Sequence, residues 1–143
     1  MANENTVLTL SGIGVPLYSA RGLQQSLEPI DASANLRRTI NGTLIDLSAP
    51  QMRKYRSQIT GSDQRPPACD GLWPGREVTV DCIAELCHAE YGTPARPMVP
   101  DSDYEEAGFV FYRPRLVMLV TGFNVQRDEW QANVQWTMTL EEK

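Results

Sequence analysis

The sequence is poor in the residues that carry most metal and redox chemistry, with three cysteines and a single histidine among 143 residues. Three thiols cannot all pair within one chain, so the disulfide framework of a small secreted domain is not expected. No apolar run approaches the roughly eighteen residues needed to span a bilayer. The opening MANENTVLTL also lacks the basic stretch, apolar core and small-residue cleavage site of a secretory leader. No membrane partner is expected, and the chain reads as one made in a cytoplasm and kept or assembled there. Positive charge is scarce too: 13 Lys and Arg against 18 Asp and Glu give a formal net charge of −5. Tracking a nucleic-acid backbone needs a dense basic surface, so direct nucleic-acid binding is not expected. Internal repeats, low-complexity blocks and the phosphate-binding patterns G-x-x-x-x-G-K-[ST] and G-x-G-x-x-G are all absent, and Gly-Ile-Gly at 12–14 reads as a turn.

What is present is a globular composition, 41% apolar and 22% charged, with 10 Gly and 10 Pro. That length suits one domain spanning residues 1–143. Short β-prone runs alternate with Gly, Pro, Asn and Asp, which predicts an all-β fold: one antiparallel β-sandwich or barrel with long Pro/Gly-rich loops. Expected strands cover 6–11, 23–30, 35–40, 43–48, 54–60, 77–86, 109–113, 115–125 and 130–141. Residues 49–55 and 103–108 have the pattern of isolated helical turns, too short to be stable helices alone. In LRRTINGTLIDL, Asn41-Gly42 predicts a two-residue type I′ turn. That register would set Arg37 opposite Asp46 and put Leu36, Ile45 and Leu47 on one face. Residues 116–120 are apolar on both faces, as in a central strand or one covered by a partner. In 134–141, Val134, Trp136, Met138 and Leu140 alternate with polar residues, which predicts one buried face. Segments 61–76 and 88–108 read as long loops, of the kind that contact partners.

All the cysteines and the histidine fall within ACDGLWPGREVTVDCIAELCH, as Cys69, Cys82, Cys87 and His88. Structural zinc takes closely spaced ligand pairs on tight turns. Here the ligands are spread out, and along one strand over 77–87 Cys82 and Cys87 would point to opposite faces. The expectation is structural thiols, with Cys82 in the core and no metal or cofactor. A Cys-His nucleophile built on Cys87 and His88 is disfavoured because adjacent side chains diverge in an extended chain. Carboxylate pairs such as Asp101/Asp103, Glu105/Glu106 and Glu141/Glu142 read as solvated acidic surface. The remaining candidates are partner-binding residues in the loops: Trp73, Arg76, Tyr91, Arg96 and Tyr104. Trp73 either anchors a partner or packs over its own core. Exposed Trp73, Tyr91 or Trp130 would also suit glycan contact.

LYSARGLQQSLEPI (17–30), the segment from LRRTINGTLIDL to CIAEL (36–86) and FYRPRLVMLVTGFNVQRDEWQANVQWTMTLEE (111–142) together resemble small structural proteins from the assembly modules of tailed bacteriophages and prophages. The likeness spans most of the chain. It implies a non-enzymatic virion protein of the tail, neck or capsid-cement type, assembled in the host cytoplasm as a homo-oligomer. The partners implied are other virion proteins, either tail and portal-adaptor components or the major capsid protein. A tail or head-tail adaptor role leads; the alternative is a cement protein stabilising the capsid shell. The resemblance brings no catalytic residues with it.

Overall fold

A strand that alternates apolar and polar residues must bury one face. A computed structural model of the chain describes residues 8–10, 22–30, 36–47, 49–130 and 133–143. It places Val134, Trp136, Met138 and Leu140 at no more than 1% exposure on β11 (Val134–Glu142). The protein is all-β, with no α-helix among the described residues. Six strands make one curled antiparallel sheet: β1 (Thr9–Leu10), β2 (Gln24–Pro29), β5 (Tyr55–Asp63), β6 (Glu77–Asp81), β10 (Arg115–Arg127) and β11, in the order β1-β6-β10-β11-β5-β2. Its concave face holds the core, in which Ile59, Val78, Val80, Leu116, Met118, Trp136, Met138 and Leu140 are nearly or wholly buried. β3 (Leu36–Arg38) and β4 (Leu44–Asp46) form a separate two-stranded sheet, and β7 (Leu86–Ala89), β9 (Phe109–Tyr112) and β8 (Tyr104–Glu106) a three-stranded one. Pro50–Met52 is a single 3₁₀ turn, where a helical turn was expected.

The segment that is apolar on both faces lies in the centre of the six-stranded sheet, as part of β10. Leu116, Met118 and Val120 point inward, while Val117 stays exposed and Leu119 half-buried on the outer face. A β-bulge then interrupts the register, because Val120 pairs with Leu140 but Gly122 pairs with Thr139. The extra residue, Thr121, moves the inward phase from even to odd numbers, so Phe123 packs on the core. Without it Gly122 would fall opposite Met138 in that place.

Three expectations are corrected. The turn at Asn41-Gly42 is not type I′: Leu36 pairs with Asp46, Arg37 with Ile45 and Arg38 with Leu44, one residue out of the expected register. The loop is the three residues Ile40, Asn41 and Gly42, closed by Thr39 N–H to Thr43 O at 2.8 Å, and only Gly42 has positive φ, +84°. Such a loop needs glycine only at its left-handed position, so Asn-Gly fits it as well as a two-residue turn. Arg37 therefore shares a face with Ile45 and Leu47, and Leu36 shares one with Leu44 and Asp46.

The expected strand 77–86 breaks after Asp81 and resumes in another sheet at Leu86. Cys82 donates its N–H to Pro114 O at 3.1 Å, but proline has no N–H to return, so the ladder with β10 cannot continue. The Gln25 side-chain oxygen accepts from the Ile83 and Ala84 N–H groups (2.7 and 3.3 Å) and satisfies the chain where it leaves the sheet. Finally, 103–108 is not a helical turn. Glu106 pairs with Phe109 across a two-residue turn, Ala107 (φ +55°) and Gly108 (φ +84°), so the type I′ hairpin lies here, and 88–108 is less loop than expected. The expected turn at 12–14 and the ends of strand 6–11 lie outside the described residues.

Candidate assembly surface

Two exposed features combine apolar surface with charge. The first is the β3–β4 hairpin. Leu36, Leu44 and Leu47 are 50–58% exposed, and Ile40 at the tip and Ile45 are exposed too. Both faces of the ribbon are therefore partly apolar. The charged residues on it are Arg37, Arg38 and Asp46. Arg38 Nη1 donates to Gly42 O at 2.9 Å across the turn, and Arg53 from the neighbouring 3₁₀ segment lies 3.8 Å from Asp46. An isolated two-stranded ribbon is marginal in water. Packing against another surface would stabilise both its apolar side chains and its order.

The second is the outer face of the three-stranded sheet. Tyr104 pairs with Phe111, Cys87 with Phe111, and Glu106 and Ala89 with Phe109, so these residues share one side of the sheet. The Tyr104 and Phe111 rings stack with centroids 5.2 Å apart at 14°. Tyr104, Phe109 and Cys87 remain exposed, whereas Tyr112 on the opposite side is buried against His88, with ring centroids 5.9 Å apart. A hydrogen bond to Glu85 raises the Tyr104 phenol pKa, with smaller contributions from burial and from the charges of Glu85 and Glu106. The three strands contain no Lys or Arg. This face is thus aromatic and acidic, and of its residues only Tyr104 was read from the sequence as a partner contact. Phe109 and Phe111 were missed because 109–113 alternates weakly and alanine does not signal the tight Ala107-Gly108 turn that pairs β9 with β8.

The other partner candidates are dispersed. Trp73 is 73% exposed, and Leu72, its neighbour, packs on the core in its place. Arg76 closes the same turn, donating its N–H to Trp73 O at 3.2 Å. Tyr91 and Trp130 are 96% and 93% exposed. Arg96 is only half-exposed and serves its own chain. Its Nε lies 2.7 Å from Glu142 Oε1 but off the hydrogen-bonding direction, while Nη2 donates to Glu142 Oε2 at 3.1 Å and Arg53 O at 2.8 Å. The guanidinium also sits over the Tyr55 ring, 5.3 Å from its centroid. Arg96 thereby ties the loop after β7 to the ends of β5 and β11, beside an open recess lined by Pro29, Arg53, Lys54 and Tyr55.

The thiols stay apart. Cys82 is buried in the core, where desolvation pushes its pKa up to about 11; Cys69 is half-buried and also raised, mainly by burial; Cys87 is exposed. His88 Nδ1 lies 2.7 Å from Ala89 O, an acceptor that requires its proton. Among the described residues no group of three or more His, Cys, Asp or Glu is arranged to hold a metal ion.

No family model matches the chain, and no curated protein matches it. Among solved structures, the chain is similar to one from the tail of an empty GTA particle with C6 symmetry. The identity is 10% and the TM-score 0.42, over 88% of this chain and 78% of that one.

Proposed function

We propose that this chain is a non-enzymatic structural subunit of a tailed-phage particle, a tail or head-tail adaptor component that assembles with copies of itself and with other virion proteins. The observation that carries the reading is the β3–β4 hairpin. It forms its own sheet and leaves Leu36, Ile40, Leu44, Ile45 and Leu47 in solvent. Exposed apolar clusters of this kind on a soluble subunit are interaction surfaces. The resemblance of 17–30, 36–86 and 111–142 to phage assembly proteins supplies the particle. A symmetric assembly suits such a subunit, because repetition multiplies a modest contact.

Electron microscopy of purified particles, with this chain located by a specific label, tests the proposal. Label confined to the tail or its junction with the head is the expected result. Label distributed over the capsid shell in hundreds of copies would replace the tail role with a cement role, and particles without the chain would overturn the reading.

A further inference from the structure

The two exposed features differ in charge, and this selects how they can meet. The hairpin carries Arg37 and Arg38, with Arg53 and Lys54 just beyond its base, against a single carboxylate, Asp46. The outer face of the three-stranded sheet carries Tyr104, Phe109 and Phe111 with Glu85 and Glu106, and its strands hold no cation. Two sheet faces would bring carboxylates together, and like charges across a contact are repulsive; the hairpin, with Arg38 on one face and Arg37 on the other, offers the sheet a cation whichever face it presents. Hairpin on sheet is the combination that buries leucine and isoleucine against aromatic rings while matching opposite charges.

We infer that the β3–β4 hairpin of one copy docks on the outer face of the β7-β9-β8 sheet of the next copy. This rests on the self-assembly proposed above and adds the contact that mediates it. The contact joins different surfaces, so it is head-to-tail: each copy gives a hairpin and receives one, and repetition closes a ring or extends a filament. Arg38 would sit toward Glu85 and Glu106, and the apolar ribbon over Phe109 and the Tyr104–Phe111 stack.

Charge reversal in the full-length chain tests the arrangement, read by light scattering after size exclusion at low salt. Arg37→Glu with Arg38→Glu, and separately Glu85→Lys with Glu106→Lys, should each weaken self-association roughly tenfold or more while melting near the parent temperature. A 1:1 mixture of the two variants should recover assembly, because the acidic hairpin of one meets the basic sheet of the other and the reverse pairing is also matched. The quadruple variant should recover it alone. If the parent chain assembles but the sheet reversal leaves assembly intact, the docking site is overturned while the structural role stands. If mixing restores nothing, the contact is likewise overturned. A parent chain that stays monomeric throughout contradicts the self-assembly reading itself.

Discussion

Trp136 on β11 lies directly opposite Gly61 on β5, and its indole occupies the space where a Cβ on residue 61 would be. Three indole atoms fall inside contact distance of that position, Cζ2 at 2.7 Å among them. Gly61 is therefore a packing requirement of the core's largest side chain. Trp136→Ala should cost roughly 3 to 5 kcal/mol through lost transfer energy and a cavity. Gly61→Ala should cost about 1 to 3 kcal/mol through overpacking. Urea unfolding of the singles and the double checks the pair. The double should cost less than the sum, because the clash vanishes once the indole is gone. Strict additivity would contradict the geometry.

Gly42→Val tests the three-residue loop. A β-branched residue resists φ of +84°, so the hairpin should open more readily by about 1 kcal/mol or more. Because β3 and β4 form their own sheet, the penalty should fall on local opening and leave the global midpoint near the parent's. Amide exchange reports it: the Thr39 N–H, bonded to Thr43 O, should exchange several-fold faster. Unchanged exchange there would show that the loop does not need glycine.

Cys82 predicts a dependence on alkaline pH. The folded chain holds its thiol proton up to about pH 11, against an ordinary 9.0. The stability this gives is complete below pH 9 and is lost as pH rises from 9 through about 11. Within that window the loss should approach 1.4 kcal/mol per pH unit. Relative to the parent, Cys82→Ala should show a flatter decline over the same range. Alkylation should follow exposure, with Cys87 reacting first and Cys82 only on unfolding. Equal reactivity of the two would contradict the burial.

The Arg96–Glu142 pair predicts a coupling. Glu142 also accepts the Tyr55 N–H at 3.0 Å, so removing the guanidinium leaves a largely enclosed carboxylate short of a partner. Arg96→Met should destabilise by about 1 to 3 kcal/mol. Adding Glu142→Met should restore part of it. Thermal melts of the three proteins decide; an Arg96→Met chain as stable as the parent would show the pair to be incidental.

The inward face of β11 was legible because a one-sided sheet writes its burial into every second residue of VQWTMTLEE. Cys82 was placed correctly for the same reason, since Val78, Val80 and Cys82 share a phase. Features set by distant partners were not legible. The end of β6 depends on Pro114 lying opposite Cys82, and the bulge at Thr121 depends on β11. The type I′ turn at Ala107-Gly108 was hidden because alanine gives no signal of positive φ. The acidic aromatic face has the same origin: β7 and β9 pair across some twenty residues, and nothing local in LCHA or FVFY states which side chains will share a surface. Arg96 looked like a loop residue offered to a partner, while the fold engages it with Glu142 and Tyr55.

If the exposed hairpin drives self-assembly, the mass of the purified chain in solution will report it. Sedimentation should show the parent as a multimer. A Leu44→Asp, Ile45→Asp chain, with one charge placed on each face of the ribbon, should be monomeric with an unchanged melting temperature. A parent that is monomeric at high concentration, or a double variant that assembles as the parent does, would show that the hairpin does not drive assembly.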